Sequence, residues 1–315
     1  MVGSGTSDDA AVWRRPDGRA LVSTADFFTP IVDDPRAWGH IAASNAASDV
    51  YAMGGTPLFA LNLVAWPRDR LPLELLAEVM AGGSDAAAEG GWIVAGGHTV
   101  DGPEPMYGQA VTGEVETTGI LTNVGARPGD VLILTKALGT GILATAHKRS
   151  GPEEVAPGGS LAVTYAEAVA SMKRLNAEAA RVARWAGARA ATDVTGFGLL
   201  GHLSEMLGGG GISATLDAAA VPLLAGVVEL VEAGFVPGGT MRNLEHLARR
   251  LSGGGETTRI LLADAQTSGG LLMAVAAERA GETVARLLDT GHAAAVVGEI
   301  LPGEGGITIT GDVTG

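Results

Sequence analysis

Apolar and polar positions alternate over residues 9–26, with a break at Pro16, Asp17 and Gly18. That pattern predicts a β-hairpin, residues 9–14 running into a tight turn and returning over 19–26. The period then changes. Asp33, Asp34 and Pro35 form a helix start signal, and Gly54 with Gly55 forms a stop. Wound at about 100° per residue, the helix between them gathers Trp38, Ile41, Ala42, Ala52 and Met53 on one stripe. Asn45 and Asp49 fall in the middle of that stripe, while Arg36 and His40 point away from it. Residues 58–65 are a continuous apolar run of strand length, and 73–90 has helical spacing. Residues 92–95 read as a buried strand followed at once by Gly96, Gly97, His98 and Thr99, and 107–115 as a further strand.

The polar stretch 117–130, with Arg127, Pro128, Gly129 and Asp130, predicts a boundary between two domains, 1–116 and 131–315. The second opens with a strand over 131–135 and a Gly-containing loop over 136–142. A Pro/Gly/acid loop over 152–160, a long helix over 162–187 and a helix over 223–234 ending in Pro237, Gly238, Gly239 and Thr240 follow. Helical and strand segments then alternate to the C-terminus.

These placements bear on chemistry. A carboxylate on the apolar face of a helix needs a cation, a set of donors or a water-filled cleft; a tilted helix with Asp49 at the rim, reaching a surface Arg, is the plainer alternative. Reflection about the hairpin turn sets Asp8 and Asp9 opposite Ala25 and Asp26, so three carboxylates collect at its open end. Mg²⁺ is one way to hold such charges together, and a solvated acidic rim is the other. Gly96 and Gly97 at a strand end, with His98 and Thr99, suit a phosphate-binding loop or a tight turn with a surface histidine.

Composition narrows the choices. Of the 315 residues 46% are hydrophobic but only 4% aromatic, and 48 are Gly, so Ala, Val and Leu build the core. The formal charge of −14 argues against nucleic acid and against an anionic membrane as partners. The first 125 residues hold six arginines against sixteen acids, a balance suited to divalent cations. The absence of cysteine excludes disulfides, Cys-based zinc sites and a thiol nucleophile within this chain. With no membrane-length apolar run and no signal peptide, a cytoplasmic protein is expected. Gly196, Gly198 and Gly201 fit the spacing of a dinucleotide-binding loop, but the preceding residues 188–195 read as a poor strand carrying a charge, and the nearest acid, Asp217, comes early. There is no P-loop, only three lysines occur, and no Gly-x-Ser-x-Gly elbow accompanies His98 or His202. What is left is metal and backbone chemistry on phosphates.

Several strings carry a resemblance. They are Thr6 to Val12, DFFTPIVDDP at 26–35, Gly54 with Gly55, GGHT at 96–99, Lys136 with Gly139 and Gly141, TDVTGFGLLGH at 192–202, PGGT at 237–240 with Asn243, and QTSGGL at 266–271. In this order, over nearly the whole chain, they resemble the selenophosphate synthetases (selenide, water dikinases). The resemblance implies an α/β (α+β type), two-domain, aminoimidazole-ribonucleotide-synthetase-like fold, with N-terminal sheets of two subunits pairing into a barrel-like homodimer and ATP in the cleft between the domains. It implies that ATP, selenide and water give selenophosphate, orthophosphate and AMP. It assigns Mg²⁺ to Asp9, Asp49 and Asp193, and ATP contacts to Thr6, Ser7, Asp8, Asp26, Gly97, His98 and Thr99. Asn45, one turn before Asp49, is a further phosphate or water contact, and Lys136 is a phosphate contact or a strand-end residue. The family also carries an N-terminal Gly-rich segment with a reactive Cys or selenocysteine and a Lys ahead of the Thr6–Val12 string. None is present here, so truncation and impaired turnover are expected, and no catalytic residue is assigned in this chain. The alternative is an Mg·ATP-binding homologue that acts as a binding or regulatory subunit.

Overall fold

The computed structural model describes residues 8–150, 159 and 161–313. It divides into two compact units, residues 1–120 with 172–180, and residues 121–171 with 181–315.

The first unit contains a five-stranded sheet. Its strands are β1 (Ala11–Arg14), β2 (Arg19–Phe28), β3 (Thr56–Trp66), β4 (Ile93–Asp101) and β5 (Met106–Glu116), in the order β1-β2-β5-β3-β4. β1 and β2 form the expected antiparallel hairpin, with Val12 opposite Val22 and Arg14 opposite Ala20. Helix α1 (Pro35–Ala52) begins as its start signal predicts. Asp34 is the N-cap, its Oδ1 accepting the Ala37 N–H at 2.6 Å, and Pro35 stands where a missing N–H costs nothing. Gly54, with φ of 75°, lies just beyond its end. Helix α2 (Leu73–Gly90) stops on Gly91 in the left-handed region.

One expectation about α1 is corrected. His40 does not face solvent, for α1 is buried on nearly every side from Trp38 to Ser48. Small residues allow this. A Cβ on Gly39 would lie 1.8 Å from the Val79 carbonyl oxygen, and one on Gly82 would lie 2.0 Å from that of Arg36, so α1 and α2 touch backbone to backbone. On another side, Ser44 Oγ donates to Lys173 O and Asn176 Nδ2 donates to Ser48 Oγ. Burial and Lys173 lower the His40 pKa, and Glu89 partly offsets them.

The glycine pair is also corrected. Gly96 and Gly97 lie within β4, at φ of 146° and 156°, and the β3 register shifts between Ala60 and Leu61, opposite Val94 and Gly96. A bulge at Ala95 therefore replaces the predicted turn. Gly97 is needed because a Cβ there would stand 2.2 Å from Asn62 O.

The second unit has a seven-stranded sheet of β6 (Asp130–Leu134), β7 (Ala190–Asp193), β8 (Ile212–Asp217), β9 (Leu251–Gly253), β10 (Leu271–Ala276), β11 (Ala295–Pro302) and β12 (Ile307–Thr310). Their order is β7-β10-β6-β11-β8-β12-β9. β12 pairs in parallel with β8 and β9, and among the described residues the other pairings of this sheet are antiparallel. Residues 190–193 thus form a strand after all, stabilised by antiparallel pairing with β10. That pairing is incompatible with a dinucleotide-binding βαβ unit, which needs parallel neighbours.

Among the described residues the helices in this part of the chain are α3 (Thr140–Ser150), α4 (Ala162–Lys173), α5 (Ala177–Ala186), α6 (Gly198–Met206), α7 (Val227–Glu232), α8 (Gly238–Leu247), α9 (Glu256–Leu262) and α10 (Ala280–Asp289). The helix expected over 162–187 is two helices, interrupted where Asn176 turns its amide to Ser48. The helix expected over 223–234 shortens to α7 because Leu223 bridges to Leu138, and Pro237 opens α8 instead of closing a helix. The loop predicted over 152–160 lies outside the described residues apart from residue 159.

Candidate functional site

In the first unit the site begins with the period of β2. Val22, Thr24 and Asp26 point inward toward α1, and Ser23, Ala25 and Phe27 point outward. Asn45 and Asp49, one helical turn apart, meet them. Thr24 Oγ1 donates to Asp49 Oδ2, and Asn45 Nδ2 donates to Asp26 Oδ2 at 2.7 Å. Both carboxylates are half-buried and accept from a neutral donor of the facing element. The structure thus joins Asp26, Asn45 and Asp49, and it adds Thr24, which the sequence reading missed. The two-residue period that places Thr24 beside Asp26 was the available signal.

Asp8 and Asp9 are half-buried and precede β1, whose ladder with β2 stops at Ala11 opposite Ser23. Thr6 and Ser7 lie outside the described residues. In β4, Gly97 pairs with the inward Asn62 and Thr99 with the inward Val64, while His98 pairs with Leu63 on the outward face. His98 is therefore across the sheet from Asp26 and Asp49. Beneath the site runs a buried polar network in which Tyr107 Oη and Gln109 Nε2 donate to Asn62 Oδ1 at 2.9 and 3.1 Å. Burial pushes the Tyr107 hydroxyl up to about 12.

A magnesium site can be tested against this donor set. Every candidate ligand is a carboxylate oxygen, which suits a hard cation. Among the described residues no group of three or more Asp, Glu or His side chains could by itself hold a metal. Mg²⁺ commonly uses one or two carboxylates together with waters and substrate phosphates. The residues fit a metal that arrives with a nucleotide.

In the second unit Asp193 ends β7 and is 2% exposed. The chain after it is pinned group by group. Val194 N donates to Gly270 O, Thr195 N to His202 Nε2 at 3.1 Å, and Gln266 N to Thr195 O. Asn243 Nδ2 donates to the carbonyls of Gly196 and Ala263.

The other strings singled out in this unit bind to one another. Gln266 Oε1 accepts from Gly139 N, Thr140 N and Thr140 Oγ1. Asp264 Oδ2 accepts from Gly141 N and Ile142 N, so the first amides of α3 are satisfied by the chain's own side chains. Burial pushes the Asp264 carboxyl up to about 7, against the hydrogen bonds it receives from Gln266, Ile142, Thr240 and Gly141. Lys136 is 3% exposed and its Nζ donates to Ser268 O at 2.8 Å, which supports the strand-end role.

Comparison with known proteins defines the class first. Residues 7–115 match the N-terminal domain of AIR synthase related proteins and residues 127–310 match their C-terminal domain. The solved structure of AaThiL complexed with AMPPCP and TMP has the same fold, with a TM-score of 0.71 at 19% identity over 96% of this chain and 87% of that one. A selenide, water dikinase of Myxococcus xanthus is 48% identical over 99% of this chain and 87% of its own length. That of Escherichia coli K12 is 45% identical over 97% of this chain and 86% of its own length. The chain belongs to the selenide, water dikinase family.

Proposed function

We propose that this chain is a selenide, water dikinase enzyme that converts ATP, selenide and water into selenophosphate, orthophosphate and AMP. The observation that carries this is identity of 45–48% to relatives of that name along nearly the entire chain. Identity of that extent favours a catalyst over a non-catalytic nucleotide-binding homologue. Residues 1–116 would bind Mg²⁺ and ATP and dimerise, and residues 131–315, after a linker, would complete the nucleotide site.

Asp9, Asp49 and Asp193 would hold Mg²⁺; when bound, the ion would neutralise charge on the triphosphate, a task few lysines are present to perform. Thr6, Ser7, Asp8, Asp26, Asn45, Gly97, His98 and Thr99 would contact the nucleotide. Thr24 and Asn45 orient the Asp49 and Asp26 carboxylates by donating to them, as partners behind a metal ligand commonly do.

A homodimer is supported by the outward face of the first sheet. Trp13, Phe27 and Ile93 are 63%, 51% and 68% exposed there, and Phe59 and Leu61 stand between them. Apolar area of that kind is uncommon on a monomer. A second copy of the same sheet is the occupant proposed, and His98 would then face the partner. Among the described residues no helix is long and apolar enough to cross a membrane, and we place the protein in the cytoplasm.

The test is ³¹P NMR of ATP with the protein at near-stoichiometric concentration, with and without selenide under anaerobic conditions. Slow, selenide-dependent appearance of AMP and orthophosphate is expected, since the chain holds no thiol. Accumulation of ADP, or AMP formation indifferent to selenide, would contradict the proposal.

A further inference from the structure

His202 lies on α6 with its ring buried, within the long string that begins at Thr192. Its Nε2 is 3.1 Å from Thr195 N and 3.3 Å from Thr195 Oγ1. A backbone N–H can only donate, so Nε2 must present its lone pair. In the neutral ring the proton then sits on Nδ1, which faces Glu205 Oε2 at 3.3 Å. From the other side Asn243 Nδ2 holds Gly196 O at 3.0 Å and Ala263 O at 3.1 Å. Two side chains thus secure the 194–195 and 196–197 peptide groups of the turn that leaves Asp193, and Gln266 N holds the one between them through Thr195 O. The turn also depends on Gly198, at φ of 69°, where a Cβ would stand 2.6 Å from the Ala263 carbonyl.

We infer that His202, together with Asn243, is a positioning residue that fixes the direction in which Asp193 presents its carboxylate to a nucleotide-bound metal. The inference rests on the proposed reading of Asp193 as a magnesium ligand. Its chemistry is that of a group which orients a ligand without touching the metal, and loss of such a group lowers metal affinity by roughly 10–100-fold. A residue serving only to cap the turn would lower stability and leave the magnesium requirement alone.

The experiment measures the Mg²⁺ concentration that supports half-maximal binding of AMPPCP, by titration calorimetry, alongside the melting temperature without nucleotide. His202→Ala should raise that concentration about tenfold, and His202→Gln, whose amide oxygen can still accept from Thr195 N, should restore most of it. Asp193→Asn separates the two ideas. If it weakens Mg²⁺-supported binding and His202→Ala does not, the positioning role is wrong; if Asp193→Asn changes nothing, the metal reading falls and this inference falls with it. Should His202→Ala fail to fold, Asn243→Ala, which removes the other side-chain hold on the turn, takes its place: a raised Mg²⁺ requirement for AMPPCP binding is expected, and an unchanged one would overturn the inference.

Discussion

Asp264 allows a prediction in which the sign and the size both follow from the structure. Its carboxylate is fully buried and receives hydrogen bonds from Gly141 N, Ile142 N, Gln266 Nε2 and Thr240 Oγ1. Burial raises its pKa from 3.8 to about 7. Between those values the folded chain holds a proton that the unfolded chain has released. Stability therefore falls as pH rises from about 4 to 7, by up to ~1.4 kcal/mol per pH unit and ~4 kcal/mol in all, and levels off above 7.

Asp264→Asn resembles the protonated side chain. Its amide oxygen can keep the donors from Gly141, Ile142 and Gln266, while its NH₂ meets the Thr240 hydroxyl, which can turn to accept. The variant should match the wild type near pH 4 and exceed it by a few kcal/mol at pH 8, on the order of the same linkage. Asp264→Ala leaves those buried donors without an acceptor and should cost about 3 kcal/mol or more near pH 4, a deficit that the same linkage shrinks as pH rises toward 8. Urea denaturation from pH 4.5 to 8 measures all three proteins. Parallel pH profiles for wild type and Asp264→Asn would refute the reasoning.

Other expectations follow from single contacts. Gly83→Ala would set a Cβ 1.9 Å from the Tyr107 hydroxyl, which is itself fixed by Asn62. Although alanine favours a helix by about 1 kcal/mol, overpacking should dominate and lower stability by about 1–3 kcal/mol in denaturant titrations; a more stable variant would count against the packing described. Phe27→Asp with Ile93→Asp, both on the outward sheet face, should convert a dimer to a monomer in sedimentation velocity, and an unchanged sedimentation coefficient would exclude that face as the interface. Thr24→Val removes the hydroxyl that donates to Asp49. It should weaken Mg²⁺-supported nucleotide binding several-fold with little change in melting temperature, and unchanged binding would show that Thr24 orients nothing.

What could be read from the residues was what local chemistry decides. Asp34, Pro35 and Gly54 set the ends of α1, and the turn at residues 16–18 set the hairpin. What could not be read was set at a distance. Gly96 and Gly97 carry the mark of a turn, yet Asn62 on a neighbouring strand makes them part of β4. Asn176 breaks a helix of good formers through a hydrogen bond to Ser48, 128 residues away. His40 looked like a surface residue because nothing in its helix announces the third neighbour that covers it. For the site, helical period and hairpin reflection found Asp26, Asn45 and Asp49. The long string at 192–202 marked the family without saying what His202 does, since that depends on which ring nitrogen meets Thr195 N.

In the proposed function, carboxylates from separate stretches of the chain engage magnesium together with a triphosphate, and not before it arrives. Calorimetric titration of AMPPCP into wild type and Asp49→Asn, each with Mg²⁺ or with EDTA, tests it most directly. Wild type should bind only with Mg²⁺, and Asp49→Asn should bind about tenfold or more weakly. Equal affinity in EDTA, or an Asp49→Asn variant indistinguishable from wild type, would contradict it.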